Sequence, residues 1–386
     1  MTSKIRLAIV SDAVLPWHVG GKESQYQQII SRAREFDIEV TVYTMHWWKS
    51  EDRRRTIIRD GIRYVAILPV ISMYRGEKRS ITQALLFALS CVQLIFSRVD
   101  VIEADQIPHL QLFVLGAISR VRRLPLVASW HECWGRDYWV SYLGAKGNIA
   151  AVIEWLTSRI PNLMFADSSE THDRLIRSGV PNSRVVLRPN TIDVDGILST
   201  PRFTSNVDVL TVGRLIQHKR IDLVIRAMAV TPELSQATLT IIGEGPEREN
   251  LEKQGAELGV ASRLRFTGEI IDQIDVWAYM KAARVICAPS EREGFGLAVA
   301  ESLAAGTPVI TVSAPHNASQ ELINHEVNGS IIPPNDAEAL GCEIVRWLQS
   351  PKPHYISENF LATQSGVGWH VFAQAYFERL KVLVAS

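Results

Sequence analysis

Short runs of aliphatic and β-branched residues recur along the chain, separated by helix-length stretches, and each run is nearly continuously apolar. Continuous apolarity marks strands covered on both faces, and the spacing marks helices crossing between parallel strands. In the first half the predicted strands are IRLAIVS (5–11), EVTVYT (39–44), IRYVAIL (62–68), DVIEAD (100–105), PLVASW (125–130), LMFAD (163–167) and VVLRPN (185–190). In the second half they are DVLTVG (208–213), TLTIIG (238–243), LRFTG (264–268), VICAPS (285–290) and PVITVS (308–313). Between the two series, TIDVDGILSTPRFTSN (191–206) lacks periodicity and holds several turn formers, which predicts a linker. Residues 368–384 carry Trp369, Phe372, Ala373, Tyr376 and Leu380 at helical spacing and predict a closing helix. The most apolar stretch, ITQALLFALSCVQLIF (81–96), is shorter than the roughly 20 residues that span a bilayer, and reads as an interior helix.

The pattern predicts an α/β protein of two doubly wound, Rossmann-like parallel-sheet domains facing a central cleft. The first covers 1–195, with a closing helix at 366–386 packing back on it, and the second covers 196–365. A length of 386 residues exceeds what one hydrophobic core organises, which favours two domains. In such sheets ligands bind beyond the carboxyl ends of the strands, so the segments just after each strand are where chemistry belongs.

Composition narrows the class. With 47% hydrophobic and 21% charged residues, the chain has enough apolar side chains for folded cores and is not a disordered segment. Residues 1–195 carry 25 Lys and Arg against 20 Asp and Glu, a net of +5; with 41 of each in all, the rest carries −5. That asymmetry is too mild for a nucleic-acid binder. With Arg53-Arg54-Arg55, Arg120, Arg122-Arg123 and Trp47-Trp48 it leaves two readings open, a solvated basic face or contact with an anionic membrane surface. Cys91, Cys133, Cys287 and Cys342 lie far apart and suggest neither a disulfide framework nor a zinc site, and MTSKIRLAIVSD has no signal-peptide core. The expected location is the cytoplasm, with the inner face of the membrane as an alternative.

The richest segment is SEREGFGLAVAESLAAGTPVI (290–310). Gly294 and Gly296 allow a tight path into a helix, so the amides of Phe295, Gly296 and Leu297 and the positive helix end offer a diphosphate site. Glu293 and Glu301 flank it and suit hydroxyls, as a Rossmann acid suits ribose. Arg214 and Lys219 follow the strand DVLTVG and would neutralise a departing diphosphate, a task often given to a metal, so no metal is expected. GEGPE (243–247) has Arg248 where a dinucleotide fingerprint needs Gly or Ala; Gly243 and Gly245 read as a tight turn near the nucleotide, with Pro246 opening a helix. In the first half, Gly20-Gly21 allows close backbone approach to a ligand. His131 follows PLVASW, and Trp134, Tyr138 and Trp139 read either as a sugar-stacking face or as core aromatics.

These strings together resemble glycosyltransferase family 4, a group of retaining enzymes of GT-B fold. The resemblance rests on SEREGFGLAVAESLAAGTPVI, VGRL (212–215) with Lys219, GEGPE, FTG (266–268), VNGSIIPPND (327–336), Gly20-Gly21 and His131, and spans almost the whole chain. It implies a UDP- or GDP-linked nucleotide sugar as donor and a glycan or lipid-linked acceptor. It assigns Arg214 and Lys219 to the diphosphate, Glu293 to sugar hydroxyls, Glu301 to ribose, the backbone at Ile270 to the base, and Gly21, Gly245, Phe295, Gly296 and Leu297 to the donor site. On the acceptor side it places Gly20, Gly21 and His131, with His131 orienting the sugar or the incoming hydroxyl; Trp134 and Tyr138 are the aromatic candidates there. The rival readings are a GT-B nucleotide-sugar epimerase or hydrolase without an acceptor, and a catalytically inactive nucleotide-binding module.

Overall fold

The computed structural model describes residues 4–18, 20–75, 78–350, 360 and 369–385. They form two compact units, Met1–Asn190 with His370–Ser386, and Thr191–Trp369, each with its own sheet and core.

In the first unit the strands are β1 (Ile5–Val10), β2 (Ile38–Met45), β3 (Thr56–Arg59), β4 (Ile62–Leu68), a small hairpin of β5 (Tyr74–Arg75) and β6 (Lys78–Arg79), then β7 (Val101–Asp105), β8 (Leu126–Trp130), β9 (Leu163–Ala166) and β10 (Val185–Leu187). The main sheet runs β10-β9-β8-β7-β1-β2-β4-β3, parallel throughout except where β3 joins β4. Edge strand β3 lies outside the predicted set. Its hairpin turn is Asp60-Gly61, both at positive φ, the conformation that favours this pair between antiparallel strands. Leu7, Ile9, Ile102, Val127 and Met164 on the central strands are fully buried, as continuously apolar runs require. The carboxyl-terminal helix Trp369–Ala385 belongs to this unit from His370 onward and buries Tyr376, Phe377 and Leu380. Tyr376 meets Phe165 of β9 at 5.1 Å between ring centroids. Residues 366–368 and 386 of the expected closing helix lie outside the described residues.

One expectation is overturned. Residues 81–96, expected inside, form a helix (Ile81–Ser90) and a tighter helical turn (Cys91–Phe96) with two apolar faces. Gln83, Phe87, Cys91 and Leu94 face the core, while Ile81 (62% exposed), Leu85, Leu89 (64%), Val92 and Phe96 (90%) face outward. A high mean hydropathy therefore misled: it could not tell a helix packed on all sides from one apolar on both faces but covered on one.

The second unit holds β11 (Val207–Val212), β12 (Leu239–Ile242), β13 (Leu264–Gly268), β14 (Ala283–Ala288), β15 (Arg292–Glu293), β16 (Val309–Val312), β17 (His316–Asn317) and β18 (Gly329–Ile332). Its sheet is parallel in the order β13-β12-β11-β14-β16-β18, with β15 and β17 paired apart from it. Segment 191–206 is more than the expected linker. Asp193 Oδ1 accepts from Gly196 N (2.9 Å) and caps a short helix, Val194–Ser199, whose Ile197 is fully buried in this unit's core. The Asp193-Val194-Asp195 string is thereby a helix start.

Among its parallel strands, each sheet reverses its order once. In the first unit β1 and β7 are neighbours where the order turns, and in the second β11 and β14 are. The crevices beyond the carboxyl ends of those strands are where such sheets take ligands.

Candidate active site

At the reversal point of the second unit, β11 ends in Gly213 (φ 145°) and Arg214, which is exposed. The chain then turns through Gln217–Lys219 into the helix Ile221–Val230. The backbone after β14 returns to the same place, where Glu291 N donates to His218 O (2.9 Å). Lys219 Nζ meets Glu293 Oε1 at 2.5 Å, and Arg220 pairs with Glu291. Burial, then the nearby Arg292, Lys219 and Arg214 cations, push His218 down to about 2. Burial foremost, with three cations nearby, thus disfavours the charged form of this histidine. Arg292 was not singled out in the sequence, although it adjoins Glu293; its strand pairs with β17, and Glu293 is registered against Asn317. Asn317 is fully buried, with Nδ2 donating to Thr311 Oγ1 (3.0 Å) and Val312 O (2.9 Å), which holds that pairing in place.

The helix after β15 starts at Leu297, with Gly296 (φ 92°) as its cap residue and no side-chain cap hydrogen bond. A Cβ on Gly296 would stand 2.4 Å from the Ser319 Cβ, so sterics and backbone both demand glycine. The Phe295 side chain is buried in the core, leaving its backbone for any ligand. Glu301 occupies the second helical turn, as the spacing predicts, and Gln273 Nε2 donates to its carboxylate at 3.3 and 3.4 Å. Burial lifts the Glu301 carboxyl to about 7, against the indole of Trp277. GEGPE zips onto the β11 loop, with Leu215 N donating to Glu244 O (2.9 Å) and Glu247 N to Leu215 O (3.0 Å). A Cβ on Gly245 would stand 2.3 Å from Leu215 O, which is why glycine is there. Pro246 lies in the turn, and the helix begins at Arg248. Ile270 follows β13 and packs at the core's rim.

In the first unit the strand-end residues are tightly bonded to one another. Lys22, on the first turn of the helix Gly21–Arg32, donates to Asp12 Oδ1 (2.7 Å) and Asp105 Oδ2 (2.5 Å), and so joins the ends of β1 and β7. Asp12 also faces Arg79 Nη1 (3.3 Å) and accepts from Gln83 Nε2 (3.1 Å). Burial opposes ionisation of Asp12 and Asp105, but Lys22, helped by Arg79 on Asp12 and His131 on Asp105, holds both below the usual carboxylate range. His131 follows β8, with Nδ1 2.5 Å from Asp167 Oδ2 and Nε2 3.3 Å from Asp105 Oδ1. A Cβ on Gly20 would meet the Glu23 carboxylate at 2.4 Å. Trp134 rings with Tyr138 and Trp139 at 4.8 and 4.4 Å on a helix, Gly135–Leu143, that has no buried residue. These aromatics are therefore half-buried neighbours of one another and not core. Glu154 fixes them, accepting from Trp134 N (2.9 Å), Gly135 N (2.8 Å) and Trp139 Nε1 (3.1 Å). The sequence reading passed over Lys22, Asp105, Asp167 and Arg188. Three of these four stand at or just after a strand's carboxyl end, the same signal that marked His131.

Two family descriptions match the chain, "Glycosyltransferase Family 4" over residues 19–195 and "Glycosyl transferases group 1" over 199–360. An uncharacterized glycosyltransferase of Methanocaldococcus jannaschii is 36% identical over 36% of this chain and 35% of its own. A phosphatidyl-myo-inositol mannosyltransferase of Mycobacterium leprae is 27% identical over 63% of this chain and 62% of its own. The chain thus spans about a third of the length of the first of these relatives and about three fifths of the second. Among solved structures, Anabaena HepE in complex with UDP-glucose superposes with a TM-score of 0.73 at 20% identity, over 98% of this chain and all of that one. At that identity the likeness speaks for the fold alone, and the fold is GT-B. With both family descriptions side by side over most of its length, the chain belongs to the family 4 type of GT-B glycosyltransferases.

Proposed function

We propose that the protein is a retaining glycosyltransferase that moves a hexose-type sugar from a UDP- or GDP-linked donor to a hydroxyl of a glycan or lipid-linked acceptor. The observation that carries this reading is the gathering of Arg214, Lys219 and Arg292 around neutral His218 at the β11/β14 reversal, beside Glu293 and a glycine-opened helix start. An anionic diphosphate is the ligand such a field favours. The HepE complex with UDP-glucose supports the nucleotide-sugar donor by fold likeness. In the reaction the bond from the anomeric carbon to the diphosphate oxygen breaks, its electron pair leaving with the diphosphate. The acceptor oxygen bonds the same face, and its proton passes to the departing phosphate oxygen. Arg214 and Lys219 neutralise that leaving group, Glu293 holds sugar hydroxyls once the diphosphate draws Lys219 away from it, and Glu301 accepts from ribose. The backbone near Gly245 and Ile270 faces the nucleotide, and Gly20, Gly21 and His131 serve the acceptor side, with Trp134 and Tyr138 beside it. Two cations take a metal's part, so chelators are expected to leave turnover unchanged.

The outward face of residues 81–96 supports a membrane-borne acceptor. A single exposed leucine is ordinary, but Ile81, Leu85, Leu89, Val92 and Phe96 form one continuous apolar row. Arg122 Nη1 donates to Leu94 O (3.1 Å), which brings a cation to the row's end beside Arg98 and Arg123 in sequence. Apolar side chains flanked by guanidinium groups suit an anionic lipid surface. No helix of the described residues is long and apolar enough to cross a membrane.

Arg214→Ala tests the assignment. Its turnover with a nucleotide sugar is expected to fall by about a hundredfold or more, as on loss of one transition-state charge partner. Near wild-type turnover sinks the role given to Arg214, and a product of inverted configuration sinks the retaining mechanism. Flotation with anionic vesicles, lost in Leu89→Asp/Phe96→Asp, tests the membrane surface; equal binding to neutral vesicles, or none, discards it.

A further inference from the structure

Seven side chains in the first unit form a row in which basic groups alternate with carboxylates across the strand ends. In the order in which their elements lie, they are Arg188 after β10, Asp167 after β9, His131 after β8, Asp105 at the end of β7, Lys22, Asp12 after β1, and Arg79. The successive distances are 3.5 Å (Arg188 Nη2 to Asp167 Oδ1), 2.5 Å (Asp167 to His131 Nδ1), 3.3 Å (His131 Nε2 to Asp105), 2.5 Å (Asp105 to Lys22), 2.7 Å (Lys22 to Asp12) and 3.3 Å (Asp12 to Arg79). Asp12, Asp105, Asp167 and Arg188 are all buried. The row is closed at one end by aromatic rings, with the Arg188 guanidinium 4.7 Å from the Phe165 ring, 5.0 Å from Phe372 and 5.3 Å from Tyr376.

Both ring nitrogens of His131 lie close to a carboxylate, Nδ1 in a hydrogen bond with Asp167 Oδ2 and Nε2 in ion-pair distance of Asp105 Oδ1 (3.3 Å) without hydrogen-bond alignment. A neutral imidazole has only one N–H, so its other nitrogen would turn a lone pair on a carboxylate oxygen, and only the imidazolium meets both without repulsion. We infer that His131 is a fixed cation of the site, unable to take the acceptor's proton, and that Asp167, Asp105 and Lys22 are positioning residues that keep it so. The charge state fits the geometry: burial by itself disfavours the cation, but Asp167 and Asp105 outweigh it and raise His131 to about 10. Among the described residues, Arg188, Glu103, Tyr26 and His109 also lie near this place: burial holds the Glu103 carboxyl above its ordinary range, against Arg188 and the hydroxyl of Ser129, burial raises the Tyr26 phenol, and burial lowers His109 to about 4. The inference rests on the transferase reading for its meaning. With His131 filled by a proton, the acceptor's proton is left to the departing phosphate oxygen, and His131 acts through charge.

The test is ring-nitrogen NMR of the full chain labelled in its histidines, with His131 assigned from the signal lost in His131→Gln. Both His131 nitrogens are expected to stay protonated from about pH 5.5 to 8.5. Asp167→Asn should lower the titration of His131 by about one pH unit or more. The same variant should bring a fall in kcat/KM that sets in about one pH unit lower than in the wild type, because the cation is then lost sooner as pH rises. Wild-type His131 that titrates between about pH 6 and 7.5 overturns the inference, whether or not sugar transfer is seen. A His131 that stays charged in a chain that turns over no nucleotide sugar leaves this inference standing and sinks the transferase reading instead.

Discussion

Two lysines occupy the same topological place in the two units and meet opposite surroundings. Lys22 follows β1 and Lys219 follows β11, and each reaches an acid from across the order reversal, Asp105 at the end of β7 for Lys22 and Glu293 in the segment after β14 for Lys219. Lys22 has carboxylates on both sides, both fully buried, and its neighbours alternate in sign. Asp105, Asp12 and Glu23 outweigh burial and raise its pKa, so it is a locked cation with no charge to spare for a ligand. Lys219 has one carboxylate, itself partly exposed, and shares its place with Arg214 and Arg292, which add to burial in lowering His218. The difference teaches that position in a doubly wound sheet decides where a charge stands, and the neighbours decide whether it holds the fold or waits for an anion.

The comparison is broken first by exchanging the two lysines' fates. Lys22→Met leaves Asp12 and Asp105 buried with less compensation and should destabilise the chain by about 3–5 kcal/mol in denaturant unfolding. A stable Lys22→Met with altered donor affinity would make Lys22 a ligand group like Lys219. Lys219→Met should do the reverse, lowering turnover by about a hundredfold, about 2.7 kcal/mol, with the melting temperature nearly unchanged. A large loss of stability there would return Lys219 to a structural role. A smaller effect sharpens the contrast through pH. Glu301, lifted to about 7 by burial, is neutral below that pH and charged above it. Affinity for a nucleoside diphosphate that needs the carboxylate as ribose acceptor should therefore rise about tenfold between pH 6 and 8, measured by calorimetry, and stay flat in Glu301→Gln. In the first unit the sign is opposite. His131 is raised, so its contribution to stability is full below about 6.5 and fades as pH climbs through about 10.

Much of this architecture was legible. Continuously apolar runs placed eleven of twelve strands to within a residue or two, because burial on both faces leaves no choice of side chain, and the other, expected over 185–190, ends at Leu187. The edge strand β3 escaped, since Thr56–Arg59 is exposed and its pattern carries no core signature; only the Asp60-Gly61 turn betrayed it. The segment Ile81–Phe96 was misplaced inside because apolarity records what a surface is made of and not what lies against it. In the site, Gly296, Glu293, Glu301, Arg214 and Lys219 were visible as a string of glycines and charges after strands. Lys22 and Asp167 were not, because a lone lysine or aspartate has many ordinary uses and shows its partner only when the strands are laid side by side.

By itself the sequence determined which continuously apolar segments become strands, where the glycines must bend the chain, and which residues follow those strands. These are local matters of burial, backbone freedom and spacing. Only the tertiary structure decided which charges meet. Asp105 and Lys22 are 83 residues apart, and His131 draws Asp167 from 36 residues away. An ion pair needs a few ångströms of approach, and sheet order, not chain order, sets that distance.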